Sequence, residues 1–301
     1  MFDCIIIGGG IAGLQGAIQL GRYDHQVLVI DDYNGRSSIC HSYHNILGWP
    51  NGISGIELRK IGTEQAKRLG VQFLNDKVVE MKKVNRKFAV SLLDGTKYEG
   101  KTILLATGLK DNIPPFASIY PCLGHTVYVC PDCDGYEIKG KKTIVLGAGD
   151  VGANMALTLT YWSNDILYVN DSEKEIDKQL QSQLDEKNIV TINERVTEVL
   201  AEEEMFQGVH LTNGEEIKGE RGFIAYGGNK VKSDLAKQLE VELLENKHII
   251  TDPRTKMTNI KNVWAAGDVV AHSEQVTIAM GEGSQAAIWI HKTLMENGTD
   301  S

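Results

Sequence analysis

FDCIIIGGGIAGLQGAIQLGRY, residues 2–23, decides the fold. FDCIII is an apolar run too short for a helix and the right length for a buried strand. GGGIAG follows at once, and LQGAIQLGRY then repeats its apolar residues at helical spacing. A second apolar run, QVLVI (26–30), ends in Asp31 and Asp32. A strand, a glycine turn, a helix and a strand ending in an acid make a dinucleotide-binding βαβ unit. Gly8 allows the tight turn, Gly10 lets a pyrophosphate approach the backbone, and Gly13 lets helix and strand pack closely. The phosphates sit at the helix N-terminus, where unbonded N–H groups and the dipole favour anions. Asp31 or Asp32 takes the ribose hydroxyls. The bland alternative is a tight turn in an α/β domain that binds nothing.

The unit repeats. KTIVLGAGDVGANMALTL (142–159) gives another strand, another glycine turn (Gly147, Gly149, Gly152) and another helix, and DILYV (165–169) leads into Asn170 and Asp171. Two units imply two nucleotide sites. Between them, KFAVSLLDG and TKYEGKTILLATG read as paired strands around a D-G turn. MFQGVHLTNGEEIKGERGFIAYGG has the same form around an N-G turn, and NVWAAGD reads as one more buried strand ending at Asp268. The fold class is α/β, with two Rossmann-like domains.

Composition narrows the partners. A length of 301 residues suggests two domains, and 42% hydrophobic with 24% charged residues is ordinary for a globular protein with a full core. A net charge of −9 argues against nucleic-acid and anionic-membrane surfaces. Residues 4–21 are uncharged but glycine-rich, so they read as strand, turn and helix and not as a membrane span. The opening MFDCIII carries an acid and lacks the basic start of a signal peptide, which makes the cytoplasm the expected compartment. Five cysteines (4, 40, 122, 130 and 133) are too few, and odd in number, for a secreted disulfide framework.

VCPDCDGYE (129–137) holds a single C-x-x-C pair. A structural zinc site wants four Cys or His ligands, and His125 has no partner at ligand spacing. A structural staple suits reducing cytosol poorly and closes only a tiny loop. C-x-x-C lowers a thiol pKa and lets one sulfur attack while its neighbour resolves, so a redox pair is the favoured reading.

With these landmarks in order — GGGIAG, LLATG (104–108), CPDCDG leading into GAGDVG, and AAGD followed by EQV — the chain resembles the low-molecular-weight thioredoxin reductase family over essentially its whole length. The resemblance implies a homodimer with a three-layer ββα FAD domain in two parts, 1–112 and 246–301. A pyridine-nucleotide-type domain, 113–245, would carry the disulfide. It implies that Cys133 exchanges electrons with the flavin, that Cys130 attacks the external disulfide, and that Asp134 is the acid/base, which requires burial to raise its pKa. Asp268 matches the acidic contact to FAD. Gln275 and Val276 match a triplet beside the flavin in which Glu274 replaces an arginine. The helix that follows could point its N-terminus at the flavin.

Two stretches depart from the family pattern. Its NADPH users carry a histidine and two arginines after the second turn, with another arginine soon after, to grip the 2′-phosphate. Here VNDSEKEI places Asn170, Asp171 and Ser172 at the trio and Ile176 near the last arginine. Asp171 would repel a 2′-phosphate and could hold a ribose diol, which favours NADH and makes NADPH doubtful; alternatively the domain binds no nicotinamide. In RSSICHSYHNILGWP (36–50), His41 and His44 stand on the expected flavin side, resembling the family's oxygen-using dithiol oxidases; exposed loop residues are the plain reading. The expected activity is FAD-dependent reduction of a disulfide in a thioredoxin-like protein or small molecule, with electrons from NADH, ferredoxin or flavodoxin. The alternatives are a dithiol oxidase acting on a small molecule and a low-turnover redox sensor.

Overall fold

Strand β1 (Phe2–Ile7) buries its last four residues, and helix α1 (Ile11–Gly21) leaves the glycine turn directly behind it. The computed structural model describes residues 1–172, 174–271 and 273–298. Chain order continues with β2 (Val27–Asp31), α2 (Gly55–Arg68), β3 (Gln72–Asn75), β4 (Val78–Val84), β5 (Lys87–Leu92), β6 (Lys97–Leu105) and the short β7 (Leu109–Lys110). Strands β3, β2, β1 and β6 pair in parallel, while β4 and β5 continue from β6 as an antiparallel meander. The D-G turn joins β5 to β6 with Gly95 at φ +86°, a conformation glycine adopts without steric cost.

The second repeat runs β8 (Val127–Tyr128), α3 (Pro131–Asp134), β9 (Thr143–Gly147), α4 (Gly149–Leu159), β10 (Ile166–Asn170), α5 (Lys178–Glu186), β11 (Val190–Ile192), β12 (Val196–Glu202), β13 (Met205–Leu211), β14 (Glu216–Lys218) and β15 (Arg221–Ala225). Strands β11, β10, β9, β15 and β8 form a parallel sheet in that order, and β12, β13 and β14 an antiparallel one. The chain ends with β16 (Lys230–Val231), α6 (Asp234–Gln238), β17 (Val263–Ala265) and α7 (Val276–Gly298); β17 pairs in parallel with β6. Among the described residues no helix is long and apolar enough to cross a membrane.

Contacts divide the chain into two units: 1–38 with 55–110 and the chain from 230 onward, and 39–54 with 111–229. Two placements differ from the expected boundaries. Residues 39–54 group with the second unit, because the His41 N–H donates to the Leu123 carbonyl at 2.9 Å and Gly124 packs against Cys40, His41 and Ser42. Residues 230–245 group with the first unit, because β16 pairs with β7 and Ala236, Leu239 and Val241 are buried with Ile5, Leu105 and Val263. Each unit has its own apolar clusters on the faces of its sheet, which follows from parallel strands covered by helices and a meander.

Candidate active site and nucleotide turns

The first glycine turn sorts its glycines by task. A Cβ on Gly8 (φ +104°) would lie 2.3 Å from the Ala106 carbonyl oxygen, and one on Gly13 would lie 1.9 Å from the Gly8 carbonyl oxygen. Those two are needed for backbone packing. Gly10 is different: the nearest atom to its Cβ position is Ser37 Oγ at 3.9 Å, so this face stays open to a ligand. Beside the turn is a cleft lined by Asp31, Tyr33, Arg59, Lys67 and Phe73 among others. Arg59 pairs with Asp31, donates to Ser37 Oγ at 3.2 Å, and stacks 4.9 Å from the Tyr33 ring centroid. A carboxylate for a ribose diol, cations for phosphate and rings for a base suit the adenosine and pyrophosphate parts of FAD, so these residues fit that group. Asp32 points elsewhere, accepting the Asn34 N–H at 3.1 Å in the following turn.

A second set of charges lies in the same unit. Arg36 Nη1 is 3.1 Å from Asp268 and 2.8 Å from Glu274. The cation missing from the triplet is thus replaced by one from another stretch, which keeps two neighbouring carboxylates from repelling each other. Gln275 gives its carbonyl to the Ala279 N–H at 2.9 Å, in the first turn of α7, which opens at Val276. Arg36, Arg59 and Lys67 escaped sequence reasoning. The acid at 274 was the available signal, because an arginine replaced by glutamate beside Asp268 demands a new cation.

In the second unit Cys130 and Cys133 form a disulfide. Pro131 opens α3 at a position whose N–H would be unbonded anyway, and Cys130 before it is extended, as the residue preceding proline prefers. The Cys133 and Asp134 N–H groups donate to the Cys130 carbonyl at 3.2 and 3.0 Å, which fixes both sulfurs at one end of a tight turn. Behind the turn Gly135 lies flat on Trp162, where a Cβ would come within 2.7 Å of the indole. Burial pushes the Asp134 pKa up to about 7, and the neighbouring Glu137 carboxylate adds to the shift. A carboxylate there gains and releases a proton near neutrality. His41 stacks on His125 with ring centroids 5.8 Å apart, and His44 shares a hydrogen bond with Ser42 Oγ at 3.0 Å. His41 is a half-buried member of the unit that carries the disulfide, whereas His44 is an exposed loop residue of the same unit, as its plain reading has it.

The second glycine turn is packed differently from the first. Tyr168 fills the space beside Gly152, where a Cβ would come within 2.3 Å of its ring, and donates its hydroxyl to the Gly149 carbonyl at 2.8 Å. Gly147 packs on the Ala225 carbonyl in the same way that Gly8 packs on Ala106. Asp171 accepts the Val196 N–H at 2.5 Å through one oxygen and the Tyr226 hydroxyl at 2.6 Å through the other.

Comparison with known proteins bears on the family and the fold. The family described as pyridine nucleotide-disulphide oxidoreductase matches residues 2–283. A thioredoxin reductase of Aquifex aeolicus is 28% identical, over 98% of this chain and 94% of its own. A 34.2 kDa protein in a rubredoxin operon of Clostridium pasteurianum is 29% identical, over 96% of each. The crystal structure of a thioredoxin reductase from Streptococcus pyogenes superposes with a TM-score of 0.88 at 25% identity, covering 98% of this chain and 99% of that one.

Proposed function

We propose a function from one premise: the chain belongs to the pyridine nucleotide-disulphide oxidoreductase family. It is a thioredoxin reductase-like, FAD-dependent disulfide oxidoreductase. Its reading here is reduction of a disulfide in a small thioredoxin-like protein, by a homodimer in the cytoplasm. Electrons come from NADH or a protein carrier such as ferredoxin or flavodoxin in preference to NADPH. The observation that carries the reading is the Cys130–Cys133 disulfide at one turn with Asp134, whose pKa of about 7 matches the proton transfers of thiol–disulfide exchange.

Gly10, Asp31, Arg59 and Asp268 would hold FAD, which, once reduced by the donor, would supply the two electrons that open the Cys130–Cys133 disulfide. The chain does the rest. The Cys130 thiolate attacks one sulfur of the substrate disulfide, forming a mixed disulfide and expelling a thiolate that takes a proton from Asp134. Cys133 gives its own proton to the Asp134 carboxylate and attacks Cys130 Sγ. The second substrate sulfur leaves with a proton from solvent, and Cys130–Cys133 closes again. Two electrons and two protons pass to the substrate.

For the donor, no arginine of the family's 2′-phosphate set stands at Asn170, Asp171 or Ser172. Loss of charge-assisted hydrogen bonds worth roughly 1.5–3 kcal/mol each disfavours NADPH. The Clostridium relative, named for a rubredoxin operon, makes a protein redox partner a natural candidate. The test is single turnover: reduce the holoenzyme with dithionite, remove the excess, and mix with an oxidised thioredoxin-like protein. Wild type should yield at least one dithiol per chain and up to two, since the reduced flavin and the reduced pair each hold two electrons, while Cys130→Ser and Cys133→Ser should retain FAD and yield none. Equal yields from wild type and both variants would overturn the redox role of the pair.

A further inference from the structure

The molecule contains its own control for nucleotide binding, because Gly10 and Gly149 occupy the same place in two copies of one turn. At Gly10 nothing approaches the Cβ position closer than 3.9 Å. At Gly149 (φ +49°) the Glu175 carbonyl oxygen and the Lys174 Cβ stand 3.1 and 3.2 Å from it. The chain itself lies where a pyrophosphate would approach. It is held there from both sides. Asn170, fully buried, accepts the Gly149 N–H at 2.9 Å, and its amide donates to the Lys174 carbonyl at 2.7 Å and to Asn193 at 2.8 Å. Asp150, in the first turn of α4, accepts the Asp177 N–H at 2.7 Å.

Each tie replaces something a dinucleotide needs. The Gly149 N–H is a phosphate donor in an open turn and is already used. The Asp150 carboxylate puts negative charge at the helix end that ordinarily attracts a phosphate, whereas α1 has no acid in its first turn. Asp171, the residue placed to bind a ribose diol, has both oxygens taken by Val196 and Tyr226. The residues present at the second turn do not fit a nicotinamide dinucleotide.

We propose that residues 170–171 and 174–177, with Asp150 and Tyr226, form an internal latch that keeps the second glycine turn shut to NADH as well as NADPH. Electrons then enter from a reduced carrier that needs no nucleotide pocket. This last step rests on the disulfide reductase reading above; the latch does not.

Two measurements on the holoenzyme test it. Equilibrium dialysis against 1 mM NADH, NADPH or ADP-ribose, roughly the upper end of common KM values, should retain none of the three beyond the dialysate concentration. Hydrogen exchange should find the Gly149 amide, and the amide of Asp177, protected without any nucleotide. Asn170→Ala should speed exchange at Gly149 tenfold or more; if that variant fails to fold, the wild-type exchange decides by itself. Submillimolar binding of NADH or NADPH, or protection at Gly149 that arises only on adding nucleotide, overturns the latch. The disulfide reading is judged separately by the single-turnover yield. Bound nucleotide with a full yield sinks the latch alone, and no nucleotide with no yield sinks the reductase alone.

Discussion

Asp134 ties the chemistry to pH more directly than any other residue. Its pKa of about 7 lies well above the ordinary 3.8, because burial disfavours the charged form and Glu137 adds repulsion. The fold therefore binds the proton more tightly than the unfolded chain. Its contribution to stability is complete below about pH 3.8 and is lost as pH rises through about 7. Denaturant unfolding of wild type should thus show stability falling between pH 5 and pH 8, and Asp134→Asn should remove that part of the slope. Activity has the same sign, since the protonated acid serves the leaving thiolate. Disulfide turnover should decline above about pH 7, and Asp134→Asn should slow it by roughly 10²–10⁴ while erasing the inflection. A variant that keeps both the rate and the inflection would assign the proton to another group. By contrast, the buried Cys4, whose pKa burial pushes up to about 12, stays a thiol across this range and plays no part in it.

At the scale of the element, the two glycine turns show what a sequence motif can and cannot carry. Gly10→Ala should fold normally, since its Cβ meets nothing within 3.4 Å, yet it should weaken FAD binding tenfold or more by obstructing the pyrophosphate. Gly13→Ala forces a Cβ to 1.9 Å from a backbone oxygen and should abolish folding of the βαβ unit. Soluble expression and flavin retention of the two variants separate ligand approach from packing; equal behaviour would refute that distinction. Strands such as β1 and β9 were legible in the sequence because a buried parallel strand reads as an unbroken apolar run, and glycines mark the turn that follows. The D-G and N-G hairpins were legible for a similar local reason. The open and latched states of the two turns were not. They depend on Asn170, Asn193, Asp150 and Tyr226, which meet only after folding, and GGGIAG and GAGDVG look equally competent as text. The ties of Arg59 to Asp31 and of Arg36 to Glu274 were hidden for the same reason: ion pairs across 28 and 238 residues leave no periodicity.

For the whole molecule, the consequence lies in how the ligand-facing residues are distributed along the chain. Gly10, Asp31 and Arg36 come from 1–38, Arg59 and Lys67 from 55–110, and Asp268 and Gln275 from the chain beyond 230, so FAD would link all three stretches of the first unit. The latched turn and the disulfide lie in the second unit, whose apolar clusters share no residue with those of the first. A ligand that binds only the folded form stabilises by RT ln(1 + [L]/Kd), about 2.7 kcal/mol at a hundredfold excess over Kd. For a unit of this size that is a rise of roughly 5–10 °C in its midpoint. Because units with separate cores unfold separately, the rise should be confined to one of them. Heating apo and FAD-loaded protein in steps with pulsed hydrogen exchange should show peptides from β1, α1 and α7 protected to higher temperature by FAD. Peptides from β9, α4 and β13 should melt at an unchanged midpoint, and neither NADH nor NADPH should move it. If FAD raises the two sets of midpoints together, the units unfold as one; if NADH raises those of β9 and α4, the second turn is open to nucleotide after all.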